Sequence, residues 1–82
     1  DMQVTVMHLQ PHTDSGGAKT HDSDEFVYIL RGELVLHYGC AGKTYTLREG
    51  DFVYYSALQP HYWENMSDEP LEFLAVASRQ GF

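Results

Sequence analysis

Apolar residues recur at every second position along most of the chain, and no window carries the spacing of an amphipathic helix. Gln3–Leu9 (QVTVMHL) alternates, with Val4, Val6 and His8 on one face. Residues 11–18 (PHTDSGGA) are rich in turn formers and read as a loop. Residues 25–31 (EFVYILR) are aromatic and β-branched; Gly32 interrupts them, and Glu33–Tyr38 (ELVLHY) resumes the strand pattern. Gly39-Cys40-Ala41-Gly42 reads as a hairpin turn leading into Lys43–Arg48 (KTYTLR). Glu49-Gly50 turns into residues 51–55 (DFVYY), and residues 56–60 form a loop. His61–Asn65 (HYWEN), a turn at residues 66–70 and Leu71–Ala77 (LEFLAVA) complete the set. The pattern predicts about seven or eight short antiparallel strands with frequent turn signals, an all-β sandwich or small barrel.

Composition adds limits. The chain has 82 residues, so one domain over residues 1–82 is expected, with a core of marginal size. Apolar residues make up 43% and aromatics 13%, which argues against disorder. Five basic residues against twelve acidic ones give a formal charge of −7, and an acidic surface repels phosphate backbones. Direct nucleic-acid contact is therefore not expected of this domain. Cys40 has no second cysteine to pair with, which fits a reducing, cytoplasmic setting. No apolar stretch approaches the ~20 residues that span a bilayer. The chain opens at Asp1, directly ahead of a strand pattern, as a domain cut from something longer would.

The chemistry concentrates in three side chains. His21 and Glu25 lie four residues apart, and His61 follows much later beside another strand. In an extended segment His21, Glu25, Val27 and Ile29 share a face, and so do His61, Trp63 and Asn65. Two imidazoles and one carboxylate can cap one face of a divalent metal and leave the other open. The alternative is a hydrogen-bonded polar cluster without metal. His8, His12 and His37 have no partner at ligand spacing and read as ordinary residues. Of Tyr54 and Tyr55, alternation sends only one inward.

From about Gly17 to Ser78 the sequence resembles the cupin superfamily. His21-x3-Glu25-x6-Gly32 fits the second half of the first cupin motif, and Gly50, His61 and Asn65 stand at the glycine, histidine and asparagine of the second. Lys19 replaces the first motif's first histidine, and Ser56 and Leu58 replace a proline and a glycine of the second. The resemblance implies a cupin-type double-stranded β-helix, or jelly-roll barrel. It implies a metal set reduced to His21, Glu25 and His61, with Fe(II) favoured and Zn, Mn and Ni as alternatives. Lys19, Tyr55 and Asn65 are the ligand-binding candidates. Lys19 would pair with an anionic ligand or sit solvated on the rim; Asn65 would touch ligand or satisfy backbone at its strand end.

Short cupins with a degenerate first motif resemble the sensory domains of bacterial regulators that carry an N-terminal helix-turn-helix. In that reading the barrel binds a small, anionic effector and works as a homodimer pairing through sheet edges. The alternative is a non-haem Fe(II) oxygenase, a dioxygenase or epoxidase acting on a small phosphonate or carboxylate. A third reading is a dimerisation domain that binds nothing.

Overall fold

The computed structural model describes residues 2–79, and among them there is no helix. Eight strands run in the order β1 (Gln3–Leu9), β2 (Thr13–Asp14), β3 (Asp24–Arg31), β4 (Glu33–Tyr38), β5 (Lys43–Arg48), β6 (Phe52–Ser56), β7 (His61–Asn65) and β8 (Leu71–Ala77). They build two four-stranded sheets, β1-β8-β3-β6 and β2-β7-β4-β5, in which every pairing is antiparallel. The all-β architecture expected from the alternation, and the jelly roll that the resemblance implies, are thus the ones found.

The strand bounds follow the sequence pattern to within a residue, with one addition. β2 lies inside the expected loop and pairs with β7 through Thr13↔Asn65 and Asp14↔Glu64. Two residues carry no readable period, so this strand exists only because a distant partner supplies its hydrogen bonds.

Burial alternates as a sandwich requires. From one sheet Val27, Ile29, Leu71, Phe73 and Ala75 point inward, and from the other Leu34, Leu36, Leu47 and Trp63 meet them. The Trp63 and Phe73 rings make an edge contact at 5.0 Å and 76°, bonding the sheets at mid-core. On β1 the inward residues are Met7 and Leu9; Val4, Val6 and His8 face away from the core.

Two glycines of the sequence motif have different physical duties. Gly32 (φ 90°) sits between β3 and β4, and a Cβ there would lie 2.6 Å from the Pro70 carbonyl oxygen and 3.1 Å from Leu71 Cα. Gly50 (φ 87°) needs the left-handed backbone but has open space around it. Strain of this kind costs about 1–3 kcal/mol, and crowding adds a similar amount. Gly32→Ala should therefore lose about 2–6 kcal/mol in urea unfolding, clearly more than Gly50→Ala. Equal losses would show that backbone conformation alone, and not the close approach of the β7–β8 turn, selects glycine at position 32.

Candidate metal centre

Three separate segments bring the site together. β3 turns Glu25 into the interior, where it is 1% exposed, because it shares parity with Val27 and Ile29. β7 does the same for His61, on the face it shares with Trp63 and Asn65. His21 precedes β3, and its segment is pinned by backbone: the Lys19 and His61 amides exchange hydrogen bonds at 3.0 Å, the His21 N–H donates to the Ala57 carbonyl at 2.8 Å, and the Ala57 N–H donates to Ser23 at 2.9 Å. Glu25 and His61 thus come from opposite sheets, and His21 joins them at the barrel mouth.

One ligand atom from each of His21, Glu25 and His61 can be chosen so that all lie within 4.8 Å of one another. The His21 and His61 rings meet edge-on with centroids 5.5 Å apart. His61 Nδ1 lies 2.9 Å from the Gln59 carbonyl. A carbonyl only accepts, so Nδ1 carries the proton and Nε2 presents a lone pair in the neutral ring. That Nε2 stands 3.3 Å from Glu25 Oε1, a pair that either a proton on Nε2 or a metal ion can satisfy.

The carboxylate is held from behind. The Tyr55 hydroxyl donates to Glu25 Oε1 at 2.8 Å, and Trp63 Nε1–H donates to the Tyr55 oxygen at 2.9 Å. Burial first, and then the adjacent Glu25 charge, push the Tyr55 phenol above its usual range, so it stays a donor. Glu25 Oε2 is buried without a hydrogen-bond partner. An orphaned carboxylate oxygen beside two imidazoles is what a divalent ion would satisfy. The residues present therefore fit a metal: His21, Glu25 and His61 would hold it, as the sequence spacing suggested.

The remaining expected residues fall in three places. Lys19 is exposed and lines the same cavity as the triad. Tyr55 is the inward member of its pair, as alternation requires, but its hydroxyl lies on the Glu25 carboxylate and it is not among the residues lining the cavity. Asn65 is fully buried, and its amide is taken up by the frame. Nδ2 donates to the carbonyls of Leu9, Gln10 and Glu69, and Oδ1 accepts from the Ser67 N–H and hydroxyl. Met7, Ser15 and Tyr62 also line the cavity. Sequence reasoning missed Ser15 because it reaches the site only through the β2–β7 pairing, where its hydroxyl accepts the Trp63 N–H. His8, His12 and His37, read as ordinary, each stand beside a carboxylate on another strand or loop: Glu72, Asp68 and Glu64.

The cavity measures about 70 Å³. Pockets for drug-sized ligands run from about 300 Å³ upward, so this one suits an ion and a ligand of few heavy atoms.

A family model described as the cupin domain matches residues 5–77, and the chain belongs to that family. An oxalate-binding protein of Thermotoga maritima is 37% identical over 70 residues, covering 85% of this chain and 56% of its own. A solved structure from the same organism, that of a predicted oxalate decarboxylase, shares 35% identity with a TM-score of 0.78 over 90% of this chain and 63% of its own. The cupin domain of an XRE family transcriptional regulator from Enterobacter cloacae superposes with a TM-score of 0.83 at 24% identity, over 98% of this chain and 83% of that one. The chain spans just over half the length of the curated relative it matches. No helix among the described residues is long and apolar enough to cross a membrane.

Electrostatics give the site a pH signature. Burial disfavours charge on the His61 ring, but the hydrogen bonds to Glu25 and the Gln59 carbonyl, and the Glu25 charge, outweigh it and raise its pKa above the ordinary 6.5. A raised native pKa contributes stability that is full below the unfolded value and lost as pH climbs through the native one. Metal-free protein should therefore lose stability as pH rises from about 6.5. Metal competes for the same nitrogen, so metal affinity should fall as pH drops below the raised value. Urea unfolding with chelator across pH, with His61→Gln as reference, checks the first point; a profile identical in the two proteins would refute it.

Proposed function

We propose that this chain is a metal-dependent binding domain for a small carboxylate, a dicarboxylate of oxalate's size. The observation that carries the metal is the convergence of ligand atoms of His21, Glu25 and His61 to within 4.8 Å of one another, with the second oxygen of the buried Glu25 carboxylate lacking a partner. Fe(II) is the ion we favour, since two histidines and one carboxylate with open positions are a donor set it uses, and Zn, Mn and Ni suit the same ligands. When bound, the ion would supply a Lewis-acidic centre for carboxylate oxygens.

The carboxylate assignment is supported by three things. The cavity admits only a few heavy atoms. Lys19 stands on its rim, where its ammonium would face an anion; in a net acidic chain such a cation is a local exception. Two relatives more than a third identical to this chain over the aligned segment are named for oxalate. Tyr55 in this reading is a positioning residue that keeps the Glu25 carboxyl aimed. Asn65 keeps the frame.

We take the role to be sensory, the binding domain of a regulator whose DNA contact lies in a fused helix-turn-helix, with the homodimer as working unit. The small size of the domain and a ligand set of only three side chains favour binding over turnover. The relative named as a predicted oxalate decarboxylase favours a second reading, in which the same site turns its ligand over; oxygenase chemistry at Fe(II) on a small carboxylate or phosphonate is the redox form of that reading.

Untagged protein should carry close to one equivalent of divalent metal by elemental mass spectrometry, and His61→Ala should lose it. Oxalate at about 100 times its Kd should stabilise metal-loaded protein by about 2.7 kcal/mol, a rise in Tm of roughly 10 °C or more. Chelated protein should show no rise. Lys19→Ala should keep the metal and weaken oxalate about tenfold, the loss of one charge-assisted contact. Metal retained in His61→Ala would remove the metal reading, and an oxalate response independent of metal would remove the ligand reading. Consumption of oxalate or O2 by the metal-loaded protein would decide for turnover.

A further inference from the structure

The β2–β7 ladder ends on an exchange of acceptors. Each amide of an antiparallel ladder ordinarily donates to a backbone carbonyl. The Ser15 N–H does so, to the Trp63 carbonyl at 2.8 Å, but the Trp63 N–H returns the bond to the Ser15 hydroxyl oxygen at 3.0 Å. A carbonyl in that place could only accept, whereas a hydroxyl accepts and still has a proton to donate. Among the described residues no protein group takes that proton. The exchange also releases the chain from the sheet. Asp14 Oδ1 accepts the Gly16 N–H at 2.9 Å, Gly16 adopts a φ of 107°, and the chain arches out through residues 16–18 before Lys19 pairs with His61.

The Lys19 side chain turns back along this arch. A Cβ placed on Gly16 would sit 3.9 Å from Nζ and 4.0 Å from Cε, so the ammonium stands beside the residue that follows Ser15. Asp14 and Asp22 flank the arch, yet Lys19 makes no ion pair with either, or with any other acid among the described residues. Ser15 and Lys19 both line the cavity of His21, Glu25 and His61. Trp63 offers that cavity no competing donor, because its Nε1–H is taken by the Tyr55 oxygen, and Met7 has none to give. A hydroxyl proton and an ammonium on one wall, neither bonded to a carboxylate of the chain, are recognition groups for an anion.

We propose that Ser15 and Lys19 form a two-donor clamp on the ligand oxygens that face away from His21, Glu25 and His61, which makes Ser15 a specificity-determining residue. The clamp rests on the carboxylate ligand proposed above and narrows which carboxylates the site accepts. A two-carbon dicarboxylate presents oxygens to the three ligand side chains and to the clamp at once. Acetate, of the same length, would turn a methyl group to the clamp and leave both donors without a partner. A site built around hydrogen-bond donors rejects an analogue that lacks the acceptor more strongly than an apolar pocket rejects a change of size.

Titration calorimetry of metal-loaded protein with oxalate tests the clamp. Ser15→Ala should weaken oxalate about tenfold, the loss of one hydrogen bond to a charged group. Ser15→Thr keeps a hydroxyl on the same carbon and should stay within about threefold of the parent protein. Acetate, measured by competition with oxalate, should bind the parent and Ser15→Ala alike, and metal affinity, measured against a chelator, should not change. Equal oxalate affinity in Ser15→Ala and the parent overturns the clamp. So does an oxalate loss matched by acetate or by metal affinity, or a Ser15→Thr as weak as Ser15→Ala, since each makes Ser15 a strut of the β2–β7 pairing alone. Failure of the carboxylate reading looks different: the metal-loaded parent then takes up neither acid, and the clamp falls with it.

Discussion

A carboxylate sealed inside an apolar sandwich has to be given positive charge or donors, and the architecture around Glu25 is arranged to do so. Leaving a charge unpaired in such a place costs several kcal/mol. Tyr55 supplies one hydrogen bond and is itself fixed by Trp63; His61 supplies an imidazole from the opposite sheet; the second oxygen still has no partner. Those same constraints explain the local folding. The Lys19–His61 and His21–Ala57 backbone bonds exist at the one end of the barrel where polar groups converge, and they close the mouth around the carboxylate.

Frame and site divide the motif residues between them. Gly32 and Asn65 stand at positions that the resemblance groups with the ligands, yet neither touches the cavity. Gly32 lets the β7–β8 turn approach within a distance no side chain allows, and Asn65 ties that same turn to the end of β1 through three carbonyls. The two act on one corner of the molecule from opposite sides. Their spacing from Glu25 and His61 in sequence is therefore a record of strand length: the corner fixes where β3 and β7 start and end, and so how deep the ligand atoms sit.

Much of this was legible in the chain because a sandwich writes its inside and outside as period two. Alternation placed Glu25 with Val27 and Ile29, and His61 with Trp63, correctly. It also separated Tyr55 from Tyr54. What it could not convey was non-local. β2 is too short to show a period and forms only by pairing with β7, so Ser15 at the cavity wall went unseen. Alternation is equally silent about which face is covered: Val4 and Val6 form as clean a stripe as Met7 and Leu9, yet it is the latter that meet the core. The Gln59 carbonyl that sets the His61 tautomer is backbone, and no residue identity announces it. For Tyr55, parity gives direction but not reach: its hydroxyl lies on Glu25 and not on the cavity wall.

That Glu25 and His61 belong to different sheets has a bearing on the protein's lifetime. An ion held between them would act as a rivet across the sandwich, adding its binding free energy to that of folding. A domain of this size has little stability to spare, and a change of one or two kcal/mol shifts cellular abundance several-fold through proteolysis of the open state. How long each copy survives would then follow the supply of free metal around it, whatever small molecule occupies the mouth.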